Sequence, residues 1–158
     1  METRYISGVT NPVMSDVDSA TAVAIGDLVI LDTDDTKPAA SVTWDTNIAT
    51  TQEAMHDKFL GIADSRSRSG DTEQVRVNTS GIFEFDCASA TFELGALVGV
   101  AKASGDGVES QKVVAVATPN LAIGRVAQRY GTATTRVRVA IDSVVMTGGP
   151  RAMAEAPE

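Results

Sequence analysis

The chain has 158 residues, a length that suits one compact domain, and its 13 Lys and Arg against 21 Asp and Glu leave a formal charge of −8. That balance lacks the basic footprint that offsets phosphate repulsion, so a nucleic-acid partner is not expected. The single cysteine, Cys87, excludes an internal disulfide and a cysteine-based zinc cage, and no run approaches the roughly 20 apolar residues of a membrane-spanning helix.

Side-chain choice sets the class. Val (19) and Thr (17) far outnumber Leu (6), a bias toward β-branched residues that fit a pleated, half-buried surface. The expected fold is mainly β: a small β-barrel or β-sandwich-like domain with one short helix, an extended N-terminal arm and a flexible C-terminal tail.

Residues 1–21 form the arm. Tyr5, Ile6, Val9, Val13 and Met14 make it too apolar for a solvating tail, yet it has no helix or strand period, and Asn11-Pro12 disfavours a helix. Such a segment gains stability by ordering on a surface, either that of a partner or that of its own domain. These five residues are the candidate partner-binding set. The start of the chain lacks the basic and apolar runs of a secretory signal, which leads to the expectation of a soluble, cytoplasmically made protein.

The β-rich domain is expected over 22–146. Residues 22–31 read as a strand, DTDDTKP at 32–38 as a turn, and 40–44 as a short strand. Thr50 followed by Glu53 fits a capping box that starts a helix from Thr51 to about Lys58, with Ala54, Met55 and Phe59 facing inward. SRSRSGD at 65–71 reads as a turn, and the alternation of Val75 and Val77 with Arg76 and Asn78 places the valines inside. Phe83, Phe85 and Cys87 continue that phase, strands follow over 93–101 and 112–117 around the turn at 104–107, and Val137, Val139 and Ile141 alternate with Arg136 and Arg138. Residues 147–158 have no apolar period and read as a flexible tail.

Part of this text is written twice. Ile25-Gly26-Asp27-Leu28-Val29 is echoed by Leu94-Gly95-Ala96-Leu97-Val98, the apolar-glycine segment at 60–63 by 123–126, and Val-Arg-Val at 75–77 by 137–139. The order of the pieces is the same both times, which predicts a duplicated β unit in which 22–63 and 93–126 supply related strand pairs.

Catalytic chemistry is not evident. His56 is the sole histidine and reads as an exposed helix residue near the C-terminal end of its helix dipole. Cys87 reads as a small buried hydrophobe. Asp32, Asp34 and Asp35 lack the spacing and closing glutamate of a calcium loop and read as a solvated turn. No Gly-Lys-Ser/Thr follows the glycines of the two polar turns, and no Gly-x-Ser-x-Gly occurs. Arg66, Arg68, Arg76, Arg136 and Arg138 read as solvated strand faces or as groups that pair with acidic residues of a partner. The expectation is a non-enzyme with no cofactor and no metal.

In order, G-D-L-V at 26–29, F-L-G-I-A at 59–63 after a short helix, V-R-V-N-T-S-G-I-F at 75–83 and G-A-L-V at 95–98 resemble the capsid decoration, or cement, proteins of tailed bacteriophages. The resemblance spans about residues 22–142, with Ile62 standing where that family has Val. It implies a β-rich structural virion protein, commonly a homotrimer, that binds the major capsid protein on the outside of an expanded capsid and holds neighbouring capsomers together. It also implies assembly in a bacterial cytoplasm, with no membrane partner. Two other classes stay open at this point: another β-rich virion component such as a tail-tube or head-fibre subunit, and a small hydrolase or carbohydrate-binding module.

Overall fold

The computed structural model describes residues 2–150 and is mainly β. Two sheets follow one another along the chain, the first of five strands and the second of six, the sixth being the short strand β1 (Arg4–Ser7) added at its edge. The first contains β2 (Val13–Ser15), β3 (Leu28–Asp32), β4 (Asp35–Pro38), β5 (Phe59–Ala63) and β6 (Val75–Asn78), in the spatial order β2-β6-β5-β3-β4. Apart from β1, which flanks β7, the second contains β7 (Ser80–Phe92), β8 (Leu97–Lys102), β9 (Val108–Ala115), β10 (Gly124–Val126) and β11 (Tyr130–Asp142), in the order β7-β11-β10-β8-β9. Strand for strand, the two orders are the same.

Each repeated five-strand unit closes on itself through a parallel contact between the strands at its two ends, Asp16 with Asp35 in the first and Asp86 with Lys112 in the second. Closure removes the open edges that would invite pairing with other chains. The correspondence extends to single hydrogen bonds. Gly26 and Gly95 both have positive φ, and their amides donate to Ala63 O at 2.9 Å and Val126 O at 2.8 Å. Gly61 is paired with Val29 and Gly124 with Val98; Asp64 N donates to Arg76 O, and Ala127 N to Arg138 O, both at 2.8 Å. The repeated sequence therefore encodes a repeated barrel.

Register fixes what lines each barrel. Val29, Leu60, Ala63, Val75 and Val77 line the first, with Val17, Val23 and the half-buried Val13 and Leu31. Their counterparts Val98, Ile123, Val126, Val137 and Val139 line the second, with Cys87, Phe92, Phe83 and Val100. The six residues Val75, Val77, Phe83, Phe85, Val137 and Val139, assigned inward by alternation, are all buried. The first lining is smaller and partly polar. Ser15 stands where the second barrel has Phe85, Thr36 where it has Val113, and the buried hydroxyls of Ser15 and Thr36 hydrogen-bond to each other. Pairing these groups avoids the cost of about 1–3 kcal/mol for a buried polar atom left alone.

The opposite face of the first barrel is also covered. Leu28, Ile30, Phe59 and Ile62 point outward from it into the larger core, where they meet helix α1 (Ile48–Lys58) through Met55. Both faces of β5 are thus buried, and Phe59–Ala63 is correspondingly an unbroken apolar run. Helix α1 has no counterpart in the second repeat, where a single 3-10 turn at Pro119–Leu121 makes the connection.

Several boundaries differ from the sequence reading. The helix begins at Ile48, capped by Asn47 Oδ1 accepting from Thr50 N at 2.9 Å; Glu53 is exposed on the second turn rather than closing a capping box. Residues 22–31 are not one strand, because the Gly26 turn separates Val23 from β3. The turn expected at 32–38 shrinks to Thr33–Asp34, with Asp35–Pro38 paired to β3 as strand β4. The strand expected at 40–44 does not form: Ala39–Ser41 is a 3-10 turn, and 42–44 are not in a strand. The arm is part of the sheets: β1 pairs with β7, and β2 is the first strand of the first barrel. At the other end a short helix α2 (Val144–Thr147) runs into Gly148, and Gly149 and Pro150 are buried. The rest of the expected tail, 151–158, lies outside the described residues.

Candidate partner-binding surface

The arm crosses from one barrel to the other. Strand β1 lies on the second barrel, with Arg4 opposite Glu84 and Tyr5 opposite Phe83. The chain then passes over the junction of β6 and β7, where Thr10 O accepts from Thr79 N at 2.9 Å and Val9 O from Ser80 Oγ at 2.7 Å. Beyond Pro12 it joins the first barrel, with Val13 opposite Val77 and Met14 opposite Arg76. The alternative in which the arm folds onto its own domain is therefore the one realised in the isolated chain.

This path sorts the five candidate residues. Tyr5 packs edge-on against Phe83, with ring centroids 5.6 Å apart and its hydroxyl donating to Gly8 O, yet it stays half exposed. Val9 (75 % exposed) and Met14 (58 %) face solvent. Ile6 is half-buried, and Val13 packs against the lining of the first barrel in the place Phe83 takes in the second. Tyr5, Val9 and Met14 thus form the outward apolar set, and Val13 is a half-buried residue packed against the first barrel's lining.

Two exposed apolar residues went unnoticed in the sequence although the repeat marks both. Ile25 and Leu94 are 54 % and 68 % exposed and sit at equivalent tips of the turns 24–27 and 93–96, each closed by an amide of the fourth residue donating to the first carbonyl. Their shared place in the Ile/Leu-Gly motif was the available signal. Single exposed apolar residues are ordinary, but two at one repeated position lie outside any folding requirement of the turn.

Charged groups are arranged structurally. Arg136 donates to Asp86 Oδ1 at 2.9 Å and to Glu2 O at 3.0 Å, tying the start of the arm to the second barrel, and Arg4 reaches Glu84 at 2.8 Å. Asp32 accepts from Lys37 at 3.0 Å and Lys58 at 3.3 Å, and these ammonium groups hold its carboxyl below the ordinary value. Burial, helped by the charge of Asp86, pushes the Cys87 thiol up, which keeps it protonated and unreactive. His56 is half-buried, not exposed as expected: its Nδ1 lies 2.7 Å from Ala122 O, pinning α1 to the second barrel. Among the described residues no group of three or more His, Cys, Asp or Glu is placed to hold a metal ion. Comparison with family models, with curated proteins and with solved structures returned no match.

Proposed function

We propose that this protein is a structural virion component that binds the outer surface of a phage capsid, as a homotrimer, and stabilises contacts between capsomers through the major capsid protein. The observation that carries the reading is the ordered resemblance at 26–29, 59–63, 75–83 and 95–98. Those residues are the Gly26 turn with the start of β3, all of β5, β6 with the start of β7, and the Gly95 turn with the start of β8, so the resemblance covers the framework of both barrels. The outward Tyr5, Val9 and Met14 add an apolar strap suited to a protein surface. A chain with four Phe, one Trp and two Tyr also gains from burying further area between subunits.

Mixing the purified protein with undecorated expanded capsids and sedimenting them tests the reading. Saturable co-sedimentation and a trimer mass by light scattering are expected. A monomer that stays in the supernatant overturns it, and rings, tubes or fibres favour the tail-tube or head-fibre alternative.

A further inference from the structure

The two barrels act as references for each other, and at one seam they disagree. In the second barrel the seam between the start of the Gly95 turn and β11 is sealed twice. Phe92 and Tyr130 are paired across it, ring edge to face with centroids 6.3 Å apart, and the Tyr130 hydroxyl accepts from Arg138 N at 3.1 Å. One residue further along each strand, Arg129 Nε reaches Glu93 Oε2 at 2.8 Å. In the first barrel the corresponding pair is Val23 and Ser67, which exchange backbone hydrogen bonds at 2.8 and 2.9 Å. Arg66 then stands where the other barrel has Arg129, and Ala24 where it has Glu93.

The first seam therefore keeps the arginine but lacks the carboxylate, and it lacks both rings. Ser65 Oγ takes over the duty of the tyrosine hydroxyl, accepting from Arg76 N at 2.9 Å. Ser67 Oγ is buried with no hydrogen-bond partner. A cleft of about 610 Å³ opens beside these residues, bordered by Ile25, Arg66 and Arg68. Glu2 and Asp27 also border it, but Asp27 is engaged by Ala24 N at 3.0 Å and Gln111 Nε2 at 2.9 Å. Arg66 and Arg68 are exposed and form no ion pair among the described residues, in a chain of formal charge −8.

We propose that this cleft docks a segment of a partner protein in which an acidic residue follows a bulky apolar one. The acidic side chain pairs with Arg66 as Glu93 pairs with Arg129. The apolar side chain lies against Ile25, which is 54 % exposed at the rim of the cleft. Charge complementarity and the internal template both select this occupant, and the inference stands apart from the capsid reading.

Fluorescence anisotropy of the full chain with a labelled peptide of sequence ATFELGA, this protein's own residues 90–96, provides the test. The peptide should bind about tenfold more tightly than the form with Gln in place of Glu. Arg66→Ala, at an exposed site, should remove that preference, and Ala24→Glu, which supplies the missing carboxylate within the chain, should compete with the peptide and weaken binding similarly. Unchanged melting curves establish that the variants fold, and Arg66→Ala carries the test by itself if Ala24→Glu does not. Absence of binding at millimolar peptide, equal binding of the Glu and Gln forms, or an undiminished preference in Arg66→Ala overturns the proposal. The assay contains no capsid, so failed co-sedimentation would leave its outcome standing.

Discussion

Gly61 faces the carbonyl oxygen of Asn78 so closely that a methyl group on Gly61 would fall inside that oxygen, and Gly124 stands in the same relation to Ala140. The atom that would have to yield is strand backbone in both cases. Gly61→Ala and Gly124→Ala should each destabilise the fold by about 3 kcal/mol or more, at the upper end of the cost of overpacking. Gly107→Ala, where the added methyl meets only the Ala103 side chain at 4.0 Å, should stay within about 0.5 kcal/mol of wild type. Urea denaturation of the three variants checks the contrast.

The linings predict unequal responses at one repeated position. Phe85 is fully buried, and Phe85→Ala should cost on the order of 3–5 kcal/mol. Its counterpart Ser15 leaves little volume behind, so Ser15→Ala should cost about 1–3 kcal/mol, mainly by stranding the Thr36 hydroxyl. Adding Thr36→Val should recover much of that loss. A double variant no more stable than Ser15→Ala would show that the polar pair is not what fits these positions together.

Deleting residues 2–14 would remove β1 and most of β2, so it cannot separate binding from folding. Val9→Glu and Met14→Glu, at outward positions, should change stability by less than about 0.5 kcal/mol. If the strap contacts the capsid, the same variants should weaken co-sedimentation. Binding equal to wild type in both would remove these residues from the contact.

Asp32 supplies a pH dependence. Its two lysine partners lower its folded-state pKa below the ordinary 3.8, so the pairing contributes stability above that value and loses it as pH falls through the folded-state value. The site is only partly buried, so the effect should be small and weakened by salt. Asp32→Asn should flatten the stability profile below about pH 4 relative to wild type while leaving its shape near neutrality unchanged. Melting temperatures from pH 2.5 to 7 at low salt, with about half-unit steps, resolve the difference.

Cys87 is 5 % exposed and its thiol is pushed up by burial. A thiol-exchange reagent at pH 8 should label it only on unfolding, giving a rate that follows global stability. Fast labelling of the folded protein would contradict its placement in the barrel lining.

How much of this was readable depends on one polar pair. The Val-Arg-Val strands and the glycine turns stood out because apolar alternation and φ-permissive glycine leave direct marks in sequence. Strands β2 and β4 did not, for a shared reason: their inward residues include Ser15 and Thr36, which satisfy each other and so present no apolar alternation. Losing β2 from view made the first barrel seem to begin at residue 22 and made Val13 look like a free arm residue. Helix α1 was placed nearly correctly, but Asn47, a better cap than Thr50, went unread because Thr50 and Glu53 fit the commoner pattern. The missing carboxylate opposite Arg66 could not be seen from either repeat alone. It emerges only when the backbone pairing aligns Val23 and Ser67 with Phe92 and Tyr130.

Strand β1 belongs to the second barrel although it precedes the first barrel in the chain. Arg4 and Tyr5 pair with Glu84 and Phe83, so during synthesis the leading residues have no place to dock until the chain has grown past both. The first barrel, complete at Asn78, can begin to form while β1 is still unpaired on the nascent chain. When β7 emerges, β1 folds back across the junction and pairs with it, so the second barrel is held by a strand that lies before the first. Unfolding either barrel later should drag on this tie, so calorimetry of the intact chain should record one cooperative transition rather than two.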